Sequence, residues 1–149
     1  MTAPAGTGTV TVLVDYHYFC LQPGEALPFP DGQQPPALAQ VASSGPSLVV
    51  FTGLRSGPVR LSVTTGEPPG PASGWTMSQR MKLDVQEPLY VTSPDMPNTH
   101  LLEPLYSPHV PGPHQVSVLA RDRVEGGDVI AELDADPVEQ YLVVFTPAR

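Results

Sequence analysis

The chain has 149 residues, 40% of them hydrophobic and 15% charged, which is enough apolar material for one folded domain and too much for an ordinary disordered chain. Its 15 acidic and 7 basic residues leave a formal charge of −8, which excludes a nucleic-acid binder that must displace counterions from phosphates with Lys and Arg. The 1 cysteine excludes an internal disulfide and a cysteine metal cluster, and 20 prolines with 13 glycines exclude an architecture of long helices.

In chain order, residues 1–8 are small and polar and are expected to fray. The opening has no basic region followed by an apolar one, and no apolar run approaches the roughly 20 residues of a membrane helix. The expectation is a soluble, cytoplasmic protein in a reducing setting, with no membrane partner. Residues 9–21, TVTVLVDYHYFCL, are β-branched and aromatic without Gly or Pro, and read as one central strand. Alternation then puts Val10, Val12, Val14, Tyr16, Tyr18 and Cys20 on one face, and Thr9, Thr11, Leu13, Asp15, His17 and Phe19 on the other. On that reading Cys20 is a small buried hydrophobe, and Tyr16, Tyr18 and Trp75 belong to the core.

Residues 22–36 hold five prolines and read as a loop, followed over 35–45 by one short helix with Pro in its first turn and Gly45 past its end. Residues 47–52 and 59–64 flank a Gly- and Pro-containing turn and predict a hairpin, with Val59, Leu61 and Val63 dry and Arg60, Ser62 and Thr64 wet. Residues 66–74 are an irregular connection. Residues 75–86 have the clearest period of two: Trp75, Met77, Met81, Leu83 and Val85 form one side, interrupted only by Gln79. Leu89 to Thr92 begin a further strand, and the six prolines of residues 93–113 allow at most an edge segment over 99–106. Residues 113–123 and 138–146 are apolar on both faces and read as strands covered on two sides, with one helical turn expected over VIAEL at 129–133. Seven or eight strands without helix–strand alternation predict an all-β fold. It is an antiparallel β-sandwich over residues 1–149 with one short helix, or alternatively a partly open β-barrel.

Residues 122–139 form the acidic loop: Asp122, Glu125, Asp128, Glu132, Asp134, Asp136 and Glu139 face Arg123 alone, a formal −6. Concentrated carboxylates steer a basic partner, with Tyr141 or Phe145 beside them as apolar anchors; the plainer reading is a solvated loop. A calcium site at Asp128, Glu132, Asp134 and Asp136 lacks the residue order of an EF-hand. Asp15 and His17, on one face of the predicted strand, form either a polar pair at a groove or a positioned general base. His100, His109 and His114 match no ligand-pair spacing and read as surface residues. With no nucleophile elbow and no phosphate-binding loop, no catalytic residue, metal or cofactor is assigned.

The opening strand VTVLVDYHYFCL, with Asp15-Tyr16-His17-Tyr18-Phe19 at its centre, resembles the start of the ComJ-like family of bacterial competence proteins, small proteins that inhibit a DNA-entry nuclease. The closing segments GPHQVSVLARDR and VEQYLVVFTP resemble the end of small uncharacterised bacterial proteins that finish in a similar strand pair. The resemblance implies a non-enzymatic β-sandwich that silences a nuclease or other toxin, and it carries over no partner-contacting residue. The leading expectation is therefore a protein-binding module of inhibitor or immunity type that presents the acidic loop to a basic partner such as a nuclease or toxin. The alternatives are a small-ligand binder or hydrolytic enzyme using Asp15 and His17, and a structural protein that pairs strand edges with other copies. Composition leaves the oligomeric state open.

Overall fold

Runs of β-branched and aromatic residues broken by Pro, Gly and short polar stretches become strands, because each run has one face that must be buried against another layer. A computed structural model describes residues 8–23, 38–41, 47–70, 74–93, 105–108, 110–124, 129–132 and 134–147. The described strands are β1 (Gly8–Val14), β2 (Tyr18–Gln22), β3 (Ala39–Val41), β4 (Leu48–Phe51), β5 (Gly57–Thr65), β6 (Met77–Val85), β7 (Tyr90–Thr92), β8 (Gly112–Arg121) and β9 (Gln140–Pro147). They make a five-stranded sheet of order β1-β5-β9-β8-β6 and a four-stranded sheet of order β3-β4-β2-β7. The two are not closed into a barrel. Every ladder is antiparallel except β5 with β9, which is parallel, so the expected wholly antiparallel sandwich carries one exception.

The inner faces share one core, with Val12, Val14, Val59, Leu61, Val116, Val118 and Val143 from the larger sheet against Phe19, Leu21, Leu48, Val50 and Val91 from the smaller. Phe19 meets Tyr141 edge-on across the layers at 5.7 Å, and Tyr106 stacks on Phe145 at 4.0 Å. A smaller cluster of Tyr18, Cys20, Val49 and Phe51 lies on the other face of β2 and β4. Cys20 is buried as expected, and that burial pushes its thiol up to about 12.

Four predicted elements differ. Residues 9–21 are not one strand: the chain turns at Tyr16 and His17, both at positive φ, and passes from an edge of one sheet into the interior of the other. The turn also resets the alternation. Val12 and Val14 point inward before it, and Phe19 and Leu21 after it, so Tyr18 and Cys20 do not share their face. The predicted hairpin of residues 47–64 does not form either, because β4 pairs with β2 and β3 while β5 pairs with β1 and β9. In place of the expected helix, Ala39–Val41 is a strand; no helix occurs among the described residues, and none long and apolar enough to cross a membrane. Ile130, expected in a helical turn, makes a parallel bridge to Ser56. The expected edge segment survives, in its described part, as a bridge between Leu89 and Tyr106.

Gln79, the one interruption in the apolar side of residues 75–86, has a structural use. Its Oε1 accepts from the amides of Leu38 and Ala39 at 2.9 and 3.0 Å, and its Nε2 donates to the Ala39 carbonyl at 2.8 Å. An inward side chain of one sheet thus replaces the missing ladder partner of β3, an edge of the other. His114 is also not a surface residue. It is 1% exposed, with Nε2 2.7 Å from the Tyr106 hydroxyl and Nδ1 2.9 Å from the Gly112 carbonyl, while His100 and His109 lie outside the described residues.

Candidate partner-binding end of the sandwich

Three connections meet at one end of the two sheets: the corner at residues 15–17, the loop at 52–56 that carries the chain from β4 to β5, and the acidic connection between β8 and β9. The corner is a two-residue turn whose central φ values are 56° at Tyr16 and 69° at His17, closed by the Tyr18 amide donating to the Asp15 carbonyl at 3.3 Å. Asn-Gly ordinarily fills such a turn, since a side chain in the left-handed region costs about 1–2 kcal/mol per residue. Its neighbours hold it there. The Asp15 carboxylate accepts from the Tyr16 amide and from the Ser56 hydroxyl, the His17 amide donates to the Arg55 carbonyl, and the Thr52 amide donates to the His17 carbonyl.

The acidic connection is stitched to the same loop from the other side. The Arg55 amide donates to the Val129 carbonyl and the Ala131 amide to the Ser56 carbonyl, each at 2.9 Å. Gly53 and Gly57 permit this approach: a Cβ on Gly53 would collide with Val124 and Glu139, and one on Gly57 with Ala131.

Glu139 is the centre of that stitching and corrects its expected role. It was expected to face a partner with Tyr141, yet the two are 0% and 1% exposed, and Phe145 is also buried. The Glu139 carboxylate accepts from the amides of Gly53 at 3.2 Å, Leu54 at 2.8 Å and Val124 at 2.7 Å, and from the Tyr141 hydroxyl at 2.7 Å. Four donors are what a buried carboxylate needs in place of water. Burial, then the adjoining Glu139 charge, pushes the Tyr141 phenol well above its ordinary range, with Arg123 opposing. The last acid of the loop is therefore a structural pin, distinguishable in sequence from the other acids only by sharing the alternation of Tyr141, Val143 and Phe145.

The other described acids of the loop face outward, while Val124 and Ala131 pack against the core. Asp122, Glu132, Asp134 and Asp136 are exposed, and Glu125 and Asp128 lie outside the described residues. The same three connections also carry exposed apolar side chains: Tyr16 is 62% exposed, Ile130 66% and Val138 61%. Tyr16 had been assigned to the core by a strand alternation that the corner interrupts. Its neighbours Asp15 and His17 bond Ser56 and Arg55, which in turn hold residues 129–131, so Tyr16 and Ile130 belong to one surface.

The described hydrogen bonds of Asp15 and His17 go to other neighbours than each other. Asp15 is committed to Ser56 and the Tyr16 amide, and His17 Nδ1 lies 3.3 Å from the Thr52 carbonyl. Two surface cavities, one at Trp75 and Arg80 and one at Met81 and Pro113, are lined by neither residue. Among the described residues no three of His, Cys, Asp and Glu converge as metal ligands.

No protein-family model and no curated protein matches the chain. Two solved structures share its fold. Crystalline ComJ, inhibitor of the DNA-degrading activity of NucA, from Bacillus subtilis superposes with a TM-score of 0.57 at 11% identity, over 95% of this chain and 96% of that one. A protein described as crocagin biosynthetic gene J superposes with a TM-score of 0.58 at 10% identity, over 96% of this chain and 97% of that one. ComJ, whose family the opening strand resembles in sequence, is thus similar to this chain in fold, at an identity that speaks for the fold alone.

Proposed function

We propose that the protein is a non-enzymatic inhibitor of immunity type that binds a basic protein, of which a nuclease is the best-supported class, through the end of the sandwich formed by residues 15–17, 52–56 and 122–139. The observation that carries this reading is at that end: Tyr16, Ile130 and Val138 are exposed on the same three connections that carry the exposed carboxylates of Asp122, Glu132, Asp134 and Asp136. Protein interfaces use this combination, with an aromatic anchor and apolar neighbours for affinity inside a charged rim for steering. A strained corner held by its surroundings presents the anchor already ordered, which lowers the entropic cost of docking. Carboxylates also suit the cationic cleft with which a nuclease holds phosphates. The shared fold of a nuclease inhibitor agrees with this choice of partner. The cytoplasmic, single-domain character expected from composition belongs to the same proposal.

The test is inhibition. Adding the purified chain to a lysate of the cells that make it should depress DNA degradation at low salt. The variant combining Asp122→Asn, Glu132→Gln, Asp134→Asn and Asp136→Asn should recover at least tenfold of the nuclease activity. Unchanged DNA degradation with the parent chain, or equal inhibition by the neutralised variant, overturns the reading.

A further inference from the structure

The outer face of the five-stranded sheet carries charge opposite in sign to the whole chain. The registers align Arg60 with Gln140 and Gln140 with Arg121, and set Arg80 beside Ser117 and Lys82 beside Gln115, all on the face turned away from Val116, Val118 and Val143. Four of the 7 basic residues of the chain therefore share this face. Arg60, Arg80 and Lys82 make no ion pair with any described residue, and Asp84, which β6 directs the same way, accepts from the side-chain Nε2 of Gln86.

A cavity of about 380 Å³ opens on this face, bordered by Pro68 and Pro69, by Trp75 and Leu119, and by Arg80 and Ser117. The indole is held in place. The Arg121 guanidinium lies 4.4 Å from its ring centroid, and that guanidinium is itself fixed by two hydrogen bonds to Gln140 Oε1 at 3.0 and 2.7 Å. The cavity thus combines a rigid aromatic wall, two proline rings, a serine hydroxyl and an exposed arginine lacking a described counter-ion. Its volume is near the lower end of ligand sites, about 300–1,000 Å³, which suits one small ring system.

We propose that this cavity binds a small planar aromatic molecule bearing a carboxylate or phosphate. The ring packs against Trp75 and the Pro68-Pro69 wall, and the acid group lies on Arg80 with Ser117 as a further donor. Arg80 supplies orientation, since a guanidinium grips a carboxylate or phosphate through two parallel hydrogen bonds. The site is on a sheet face and does not depend on the inhibitor reading.

Trp75 is the 1 tryptophan of the chain, so its indole N–H gives a single amide-region resonance that reports on this cavity and no other. The full-length chain is titrated with benzoate and with adenosine 5′-monophosphate, and in parallel with benzamide, adenosine and inorganic phosphate. At least one of the two ring acids should shift the indole resonance saturably, and which one identifies a carboxylate or a phosphate site. The uncharged rings and inorganic phosphate should bind about tenfold or more weakly, the usual cost of removing one partner of a charged hydrogen bond. Arg80→Gln, at an exposed position, should weaken binding by about tenfold or more without changing the melting temperature. The proposal is overturned if neither ring acid shifts the resonance, if the uncharged rings bind as well, or if Arg80→Gln binds like the parent.

Discussion

Glu139→Ala leaves three backbone amides and a phenol facing the interior without an acceptor, at 0% exposure of the original side chain. Each buried orphan costs about 1–3 kcal/mol, so the expected loss is about 3 kcal/mol or more in urea unfolding, against less than about 0.5 kcal/mol for exposed Asp134→Asn. Equal effects of the two would show that Glu139 is no pin. Cys20 makes a second prediction through pH. Burial raises its thiol from 9.0 to about 12, so the unfolded chain ionises first and the native state retains its proton. The sign follows from linkage: the contribution is fully present below the unfolded value and is lost as pH rises toward the folded one. Between about pH 9 and 11 this group alone should lower stability by about 1 kcal/mol per pH unit. Urea unfolding of Cys20→Ala across that range should show a slope smaller by that amount. The buried phenols of Tyr18, Tyr106 and Tyr141 act in the same direction at higher pH.

Two elements decide how the sheets are joined, and each separates stability from function differently. The corner at Tyr16 and His17 keeps two L side chains in the left-handed region, so Tyr16→Gly should raise stability by up to about 1 kcal/mol by thermal or urea unfolding. The same change removes the exposed ring, and inhibition of the partner should fall at least tenfold. A loss of stability would mean that the ring is held by contacts of its own. Gln79→Ala acts on the opposite joint. It should cost about 1–3 kcal/mol and open the Leu38 and Ala39 amides to hydrogen exchange, since their acceptor is gone. These same two elements mark the limit of what the sequence made legible. The inward faces of β5 and β6 were readable because period two is a local property, and Val59, Leu61, Val63, Leu83 and Val85 all point where it puts them. The corner was not readable, because Tyr has no preference for positive φ and the donors and the acceptor that hold the turn, the Thr52 amide, the Ser56 hydroxyl and the Arg55 carbonyl, come from residues 52–56. For the same reason Gln79 looked like a flaw in a strand until its partners in β3 were known, and the inward turn of Glu139 was hidden among outward acids of identical chemistry.

At the scale of the molecule the charges are unevenly distributed. Of the exposed described acids, Asp122, Glu132, Asp134 and Asp136 lie on the connection that also carries Ile130, whereas Glu67, Asp84 and Glu87 lie elsewhere; four of the 7 basic residues lie across the outer face of the larger sheet. Such a charge asymmetry orients the chain during approach to a basic partner, before any contact forms, and it acts on association more than on dissociation. Screening gives this a measurable form, since the Debye length shrinks from about 30 Å at 0.01 M salt to about 3 Å at 1 M. With an inhibited nuclease in hand, Asp134→Asn with Asp136→Asn should lower the association rate several-fold at the lowest salt, and the difference should vanish toward 1 M. Tyr16→Ala should instead raise the dissociation rate by about tenfold or more at every salt concentration, because a buried aromatic anchor resists separation and not approach. Surface-plasmon kinetics across a salt series separates the two. If the charge variants changed only dissociation, the carboxylates would be in direct contact with the partner. If Tyr16→Ala changed neither rate, the strained corner would have no part in binding.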